Sequence, residues 1–473
     1  MRFAAALILF SLALSHPAPA GADEHPRASP PSSKAKTRYL IVAVCGVGYS
    51  LVQEMYERGE LENFQRPSAL VVSFPSLTSP SLSEILRPLG APPAWGYEDY
   101  YFDPEQNRMR GGFFHRFSRS HFTHGSFREV FDYHPHPILM TLEYSIPVVS
   151  AWLAGRLTWR RIRKRFEQSE KTFYLAFLDS TDPLAHVGGQ RFGRGLLKRI
   201  DREIPRLRRR AEGPLEVVVF SDHGNAFRRY RRAPLARALK QSGFRLQKKL
   251  QGPRSVVFPQ YGLVGSAVLY TQPGAESEVA AALRNVEGVA VLAYRNGPAI
   301  VVESSSGSAQ ILRQGRSYCY QPQTGDPLEH KGKLQQFESG GNGGANSCAS
   351  DEAWWQATKD HVYPDPLRRL WSGFEEIVAQ PASLLISLKD GYYVGSRLLD
   401  IFAVLRATHG NLGREQSLGF VLTTAEPLPP FLRGDQLWET LTAQRPLPLS
   451  TRPWEPLPAS VLFPRIDLPA SGT

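Results

Sequence analysis

The stretch Tyr39-Leu40-Ile41-Val42-Ala43-Val44, followed at once by Cys45-Gly46, decides the fold. A strand with one face in water would alternate apolar and polar residues. This one is apolar throughout, so it reads as a strand buried on both faces, as in a parallel sheet covered by helices. Downstream, Leu51, Val52, Met55 and Tyr56 recur at helical spacing after Ser50, which suits an N-cap, and Gly59 suits the C-terminal end. Strand-like runs return at 69–74, 173–178 and 215–220, with helical spacing at Leu196, Ile200, Ile204 and Leu207 between the last two. Strands alternating with helices predict an α/β fold, a central and mostly parallel sheet with helices on both faces. Further strand candidates are 267–270, 299–303, 384–388 and 418–423, and no internal repeat is visible.

The chain has 473 residues, 42% of them hydrophobic, with 56 Lys+Arg against 44 Asp+Glu for a net charge of +12. That apolar content excludes a mainly disordered, collagenous or disulfide-miniature protein. A pI near 9.6 points to an anionic partner without choosing among phosphate esters, nucleic acid and an acidic membrane surface. Arg2, the apolar run 3–14 and Ala18-Pro19-Ala20 read as a secretory signal peptide over 1–20, and the run is too short for a bilayer span of about 20 residues. The expectation is a periplasmic or secreted protein. Residues 21–38 form a polar, flexible lead-in, and one domain follows over 39–424 with inserted cap segments near 91–165 and 305–380. A Pro-rich extension over 425–473 is expected to wrap the surface as irregular chain after 427, and Gly340-Gly341-Asn342-Gly343-Gly344 reads as a loop. In an oxidising compartment Cys319 and Cys348 are disulfide candidates, which leaves Cys45 odd.

In an open α/β sheet, functional groups gather beyond the carboxyl ends of the strands. After the first strand comes Cys45-Gly46; after the second, Pro75-Ser76-Leu77-Thr78-Ser79-Pro80; after 173–178, Asp179, Asp182 and His186; after 215–220, Ser221-Asp222-His223-Gly224. Late in the chain Thr408-His409-Gly410 precedes a final strand. Imidazoles and carboxylates are zinc ligand types, and two divalent ions sharing a pocket can clamp an in-line displacement. Thr78 is the candidate nucleophile, because a helix starting there would turn backbone N–H groups toward a phosphate or sulfate.

This ordered set resembles the alkaline phosphatase superfamily, and most closely its nucleotide pyrophosphatase/phosphodiesterase branch, over most of residues 39–424. Phe74-Pro75-Ser76-Leu77-Thr78 is similar to the family's nucleophile context, Asp182 and His186 to its Asp-x-x-x-His pair, Asp222-His223-Gly224 to its Asp-His-Gly, and His409-Gly410 to its late His-Gly. The resemblance implies that Asp182, His186 and His409 hold one zinc, while Asp222, His223 and Thr78 contribute to the second. It implies an exported two-metal hydrolase of phosphate esters, diesters before monoesters, working through a phospho-threonine intermediate.

The departures matter as much. Cys45 stands where the family has an Asp that binds the second metal. Thiolate is a good zinc ligand at about 2.3 Å, so a working substituted site is one reading. The other is a catalytically inactive relative that keeps the pocket as a binding module for anionic ligands. Ser81 replaces an oxyanion-stabilising Asn and would donate one hydrogen bond to substrate, and Ala185 replaces a Gly before the ligand His. A sulfatase lacks support, since its Cys-x-Pro-x-Arg motif is absent. Phosphomutase and phosphonate-hydrolase readings share the same ligands and stay open.

His115, His121, His124, His134 and His136 read as loop histidines of a segment covering the substrate rather than a separate metal site. The basic runs 160–165, 208–210 and 228–232 read as solvated faces or as a surface for anionic partners such as lipid head groups or polyphosphates, and no nucleic-acid recognition module is present.

Overall fold

The computed structural model describes residues 36–112, 125–135, 148–211, 213–338, 347–402 and 405–445. The signal-like segment, most of the lead-in, the Gly340–Gly344 loop, the tail after 445, and His115, His121, His124 and His136 lie outside them.

Strand Arg38–Val44 sits between Phe173–Leu178 and Leu215–Ser221, parallel to both. Its alternate residues feed two separate cores. Leu40, Val42 and Val44 pack on one side with Trp159, Ile162, Leu197 and Ile200; Tyr39, Ile41 and Ala43 pack on the other with Leu82, Ile85, Leu437 and Trp438. Each fully buried aliphatic side chain is worth about 1.5–3 kcal/mol, which is why a run with no polar side could only become a strand covered twice. Helices Val148–Glu167 and Arg191–Arg210 lie on the first face and Thr78–Ile85 on the second, the arrangement that the strand–helix alternation predicts.

The sheet is completed by Leu418–Thr423, antiparallel to Leu215–Ser221, then Ser68–Val71, antiparallel in turn, then Phe431–Arg433 at the edge. Two reversals restore direction, so Ser68–Val71 runs parallel to the central strands and its carboxyl end faces the same edge. Because Leu418–Thr423 runs the other way, it is the chain before it, with His409, that reaches that edge.

The other strand candidates build a second sheet. Eight strands between Arg245 and Ser350 and, as the ninth, Leu384–Leu388 form it, almost wholly antiparallel, over a core of its own. Cys319 and Cys348 face each other across its outermost pair and form a disulfide. Two local expectations need correction. Ser50 is not the N-cap, which is Gly48; its hydroxyl donates instead to Glu415 Oε2 (3.0 Å). The chain after 427 is not irregular throughout, since it adds the edge strand and helix Leu437–Gln444, whose Trp438 is fully buried. Among the described residues no helix is long and apolar enough to cross a membrane.

Candidate metal and nucleophile site

Three adjacent parallel strands deliver their carboxyl ends to one edge in the order Leu215–Ser221, Arg38–Val44, Phe173–Leu178, so Cys45 stands between Asp222 and Asp182. Gly46 turns the chain at φ +66°, and a Cβ there would lie 2.6 Å from Asp182 Oδ1, so the close approach needs glycine. Its N–H donates to Asp222 Oδ1 (3.0 Å).

Around Cys45, Sγ lies 3.4 Å from Asp222 Oδ2, 3.8 Å from His223 Nε2 and 3.3 Å from Thr78 Oγ1. His223 Nε2 is 3.6 Å from Asp222 Oδ2 and 3.3 Å from Thr78 Oγ1. Zinc bonds of about 2.0–2.3 Å to tetrahedral ligands separate those ligands by roughly 3.3–3.8 Å. Five edges of the Cys45–Asp222–His223–Thr78 figure fall within that span. The residues present therefore fit a four-coordinate cation, with the nucleophile candidate at the fourth corner.

The second cluster is Asp182, His186 and His409. Asp182 and His186 are i, i+4 on helix Thr181–Gly188 and share a face, with His186 Nε2 3.2 Å from Asp182 Oδ2. His409 Nε2 lies 3.6 Å from Asp182 Oδ1. Three donors leave a position for water or substrate, as catalytic metal sites do. The two clusters adjoin, since the His223 and His409 rings stack at 3.8 Å.

The ring tautomers suit this use. His223 Nδ1 donates to the Gly224 carbonyl and His409 Nδ1 to the Ser76 carbonyl, both at 3.0 Å. A carbonyl can only accept, so each Nδ1 carries the proton and each Nε2 presents its lone pair to the cluster. The charges also ask for a cation. Burial works against ionisation of Asp182, yet His186 and His409 hold it well below the usual carboxylate range. Burial pulls the His409 pKa down, but Asp182 outweighs it and raises the net value; His223, dominated by burial, is lowered. Burial, then the charges of Asp222 and Asp182, pushes the Cys45 thiol well above its ordinary value.

Thr78 opens helix Thr78–Ile85, whose N-cap Leu77 offers no side-chain bond to the free N–H groups. Ser81, the expected substrate contact, is fully buried, and its hydroxyl is engaged by Ser73 Oγ (3.0 Å). It is not offered to a ligand in this arrangement.

Three residues that sequence reasoning missed support the site. Asn225 Nδ2 donates to the Gly46 carbonyl (2.7 Å) and approaches Asp182 Oδ1 (3.4 Å), tying two strand ends together. Its place directly after Asp222-His223-Gly224 was the one signal for it. Ser76 supplies the carbonyl for His409, and its hydroxyl donates to the Asn411 carbonyl (3.1 Å). Arg369, from helix Pro366–Glu375, reaches Ser73, Ser76, Leu412 and Ser417 together.

No family model and no curated protein matches this chain. Among solved structures it is similar to murine ectonucleotide pyrophosphatase / phosphodiesterase 5, at 13% identity and a TM-score of 0.46, over 89% of this chain and 97% of that one. It is also similar to phosphonoacetate hydrolase from Sinorhizobium meliloti 1021, solved with phosphonoacetate, at 12% identity and a TM-score of 0.47, over 86% and 96% of the two chains. Likeness at that level decides nothing about chemistry, which stands on this chain's own residues.

Proposed function

We propose that the protein is an exported, metal-dependent hydrolase of phosphate esters, with diesters as its preferred substrates and Thr78 as its nucleophile. The observation that carries this reading is the convergence of two three-donor clusters on a threonine at a helix N-terminus. Asp182, His186 and His409 would hold one divalent ion, and Cys45, Asp222 and His223 the other, zinc being the metal that suits imidazole, carboxylate and thiolate together. When bound, such ions supply Lewis acidity to the attacking and leaving oxygens.

The chain's own part is positioning. Thr78 Oγ1, once its proton has passed to solvent, bonds to phosphorus as the ester alcohol leaves; water then attacks the same phosphorus and frees Thr78. The N–H groups that open helix Thr78–Ile85 face the oxygens of the transferring group. The Nδ1 bonds of His223 and His409 keep both rings oriented through the cycle.

One observation favours the alternative, a binding module for anionic ligands that no longer turns over. Without a cation, buried Cys45 stays a neutral thiol between two carboxylates, so Cys45, Asp222 and His223 offer three metal donors only if the metal drives that proton off. Zinc content per chain, measured beside hydrolysis of a chromogenic phosphodiester and its matching monoester, separates the two. Two zincs with diester turnover support the hydrolase; one or none without turnover supports the binding module.

A further inference from the structure

Among the described residues three large apolar side chains are exposed, and two of them, Leu153 at 51% and Leu157 at 40%, are one turn apart on helix Val148–Glu167. Helical spacing sets Arg156, Arg160 and Lys164 on the same face, each three or four residues from its neighbour. The opposite face carries Trp159, Ile162 and Phe166 into the core. Arg160 and Lys164 make no ion pair among the described residues.

Helix Arg191–Arg210 lies alongside and runs the same way. Trp159 Nε1 and Arg163 Nη1 both donate to Glu203 Oε2 (3.0 and 2.7 Å), and Arg210 Nη1 donates to Glu167 Oε2 (3.0 Å). The first helix holds six basic residues and one acidic, the second nine and two. Together they carry a net +12, equal to that of the whole chain, so the remainder is neutral in sum. Their three acids are all engaged laterally, Glu167 and Glu203 by Arg163, Arg199 and Arg210 and Asp201 by Asn63, while Arg160 and Lys164 stay exposed.

We propose that this face docks the protein on an anionic lipid bilayer, with Leu153 and Leu157 entering the head-group boundary and Arg160, Lys164 and the neighbouring arginines meeting the phosphates. Apolar residues interleaved with cations along one helix face are the pattern of a helix lying in the interface plane. A nucleic-acid backbone would use the cations and leave the leucines in water. The buried side of the same helix reaches the candidate site, because Gly155 packs against Ser180 at the turn that opens the helix bearing Asp182 and His186.

The test is sedimentation of the full chain with vesicles of phosphatidylcholine alone and of phosphatidylcholine mixed with phosphatidylglycerol. Binding is expected only to the mixed vesicles. At about 1 kcal/mol per cation near a charged surface, R160Q/K164Q should weaken it roughly 30-fold. L153S/L157S should weaken it roughly tenfold or more. All four side chains lie outside the core, and circular dichroism verifies that each variant stays folded; either pair alone suffices as a test. Equal binding to both vesicle types, or unchanged binding by both variants, overturns the proposal. So does capture of duplex DNA by wild type and L153S/L157S alike while vesicles are ignored.

Discussion

Arg369 Nη2 donates to Ser76 Oγ at 3.0 Å, setting a buried guanidinium against the residue whose carbonyl receives the His409 Nδ1 proton. The same Nη2 reaches the Ser73 carbonyl (3.2 Å) and Ser417 Oγ (2.7 Å), and Nη1 reaches the carbonyls of Pro364 and Leu412. Burial pushes its pKa down to about 10, still charged at neutral pH. One side chain thus clamps the loop before Thr78 to the loop after His409.

Arg369→Gln should cost about 3 kcal/mol of stability, because several carbonyls and hydroxyls lose a charged donor in the interior. Lysine should not rescue it, since a single ammonium cannot span acceptors on both sides of the guanidinium fork. Chemical denaturation of the metal-free protein reads this out. A wild-type midpoint in either variant would mean the clamp is dispensable.

Cys45→Ala removes one corner of a four-donor figure, so elemental analysis should find one ion fewer per chain, while His186→Ala removes an ion from the other cluster. Cys45→Asp sets a carboxylate at that corner and should keep full metal content with turnover equal to or above wild type. If Cys45→Asp instead loses metal, the thiolate is specifically required.

Thr78→Ala should abolish ester hydrolysis and leave metal content unchanged, because both three-donor clusters persist without it. Rapid-quench labelling with substrate should give a phosphorylated wild type and an unlabelled variant. Undiminished hydrolysis by Thr78→Ala would remove it as nucleophile.

His330, which belongs to neither donor cluster, offers a pH prediction. It is fully buried against Tyr320 and Trp354, and neither ring nitrogen has a hydrogen-bond partner among the described residues. Burial, then the charge of His361, pushes its pKa down to about 3 from an ordinary 6.5. Between those values the unfolded chain binds the proton and the folded one does not, so stability falls as pH drops through the window. His330→Phe should flatten that slope relative to wild type by a few kcal/mol between about pH 7 and 4. Parallel slopes would show that His330 titrates freely.

Tyr39–Val44 was legible because burial on both faces leaves no choice of residue, and Cys45, Thr78, Asp182, His186, Asp222 and His223 were legible because each comes soon after such a strand, with His409 ahead of the one that runs the other way. Asn225, Ser76 and Arg369 were not, since their partners are far away in sequence: Asn225 meets Gly46, Ser76 meets His409, and Arg369 meets Ser73. Nothing local marks a serine whose carbonyl matters. Ser81 misled for a different reason, as its hydroxyl is engaged by a close neighbour in sequence, Ser73. The second sheet was visible as separate strands but not as a sheet, because antiparallel register over nine strands is a property of their pairing. Helix Leu437–Gln444 was hidden by the prolines around it, though Trp438 inserts fully between Phe173 and Phe220.

A body whose entire net charge sits on two neighbouring helices is a strong electric dipole. Such a molecule does not tumble at random near a charged boundary; the field turns it before contact, and the torque fades as added salt shortens the Debye length. Its orientation on arrival is therefore governed by ionic strength, so even an ion-exchange column should hold this protein by the face those two helices form, less firmly as salt is added.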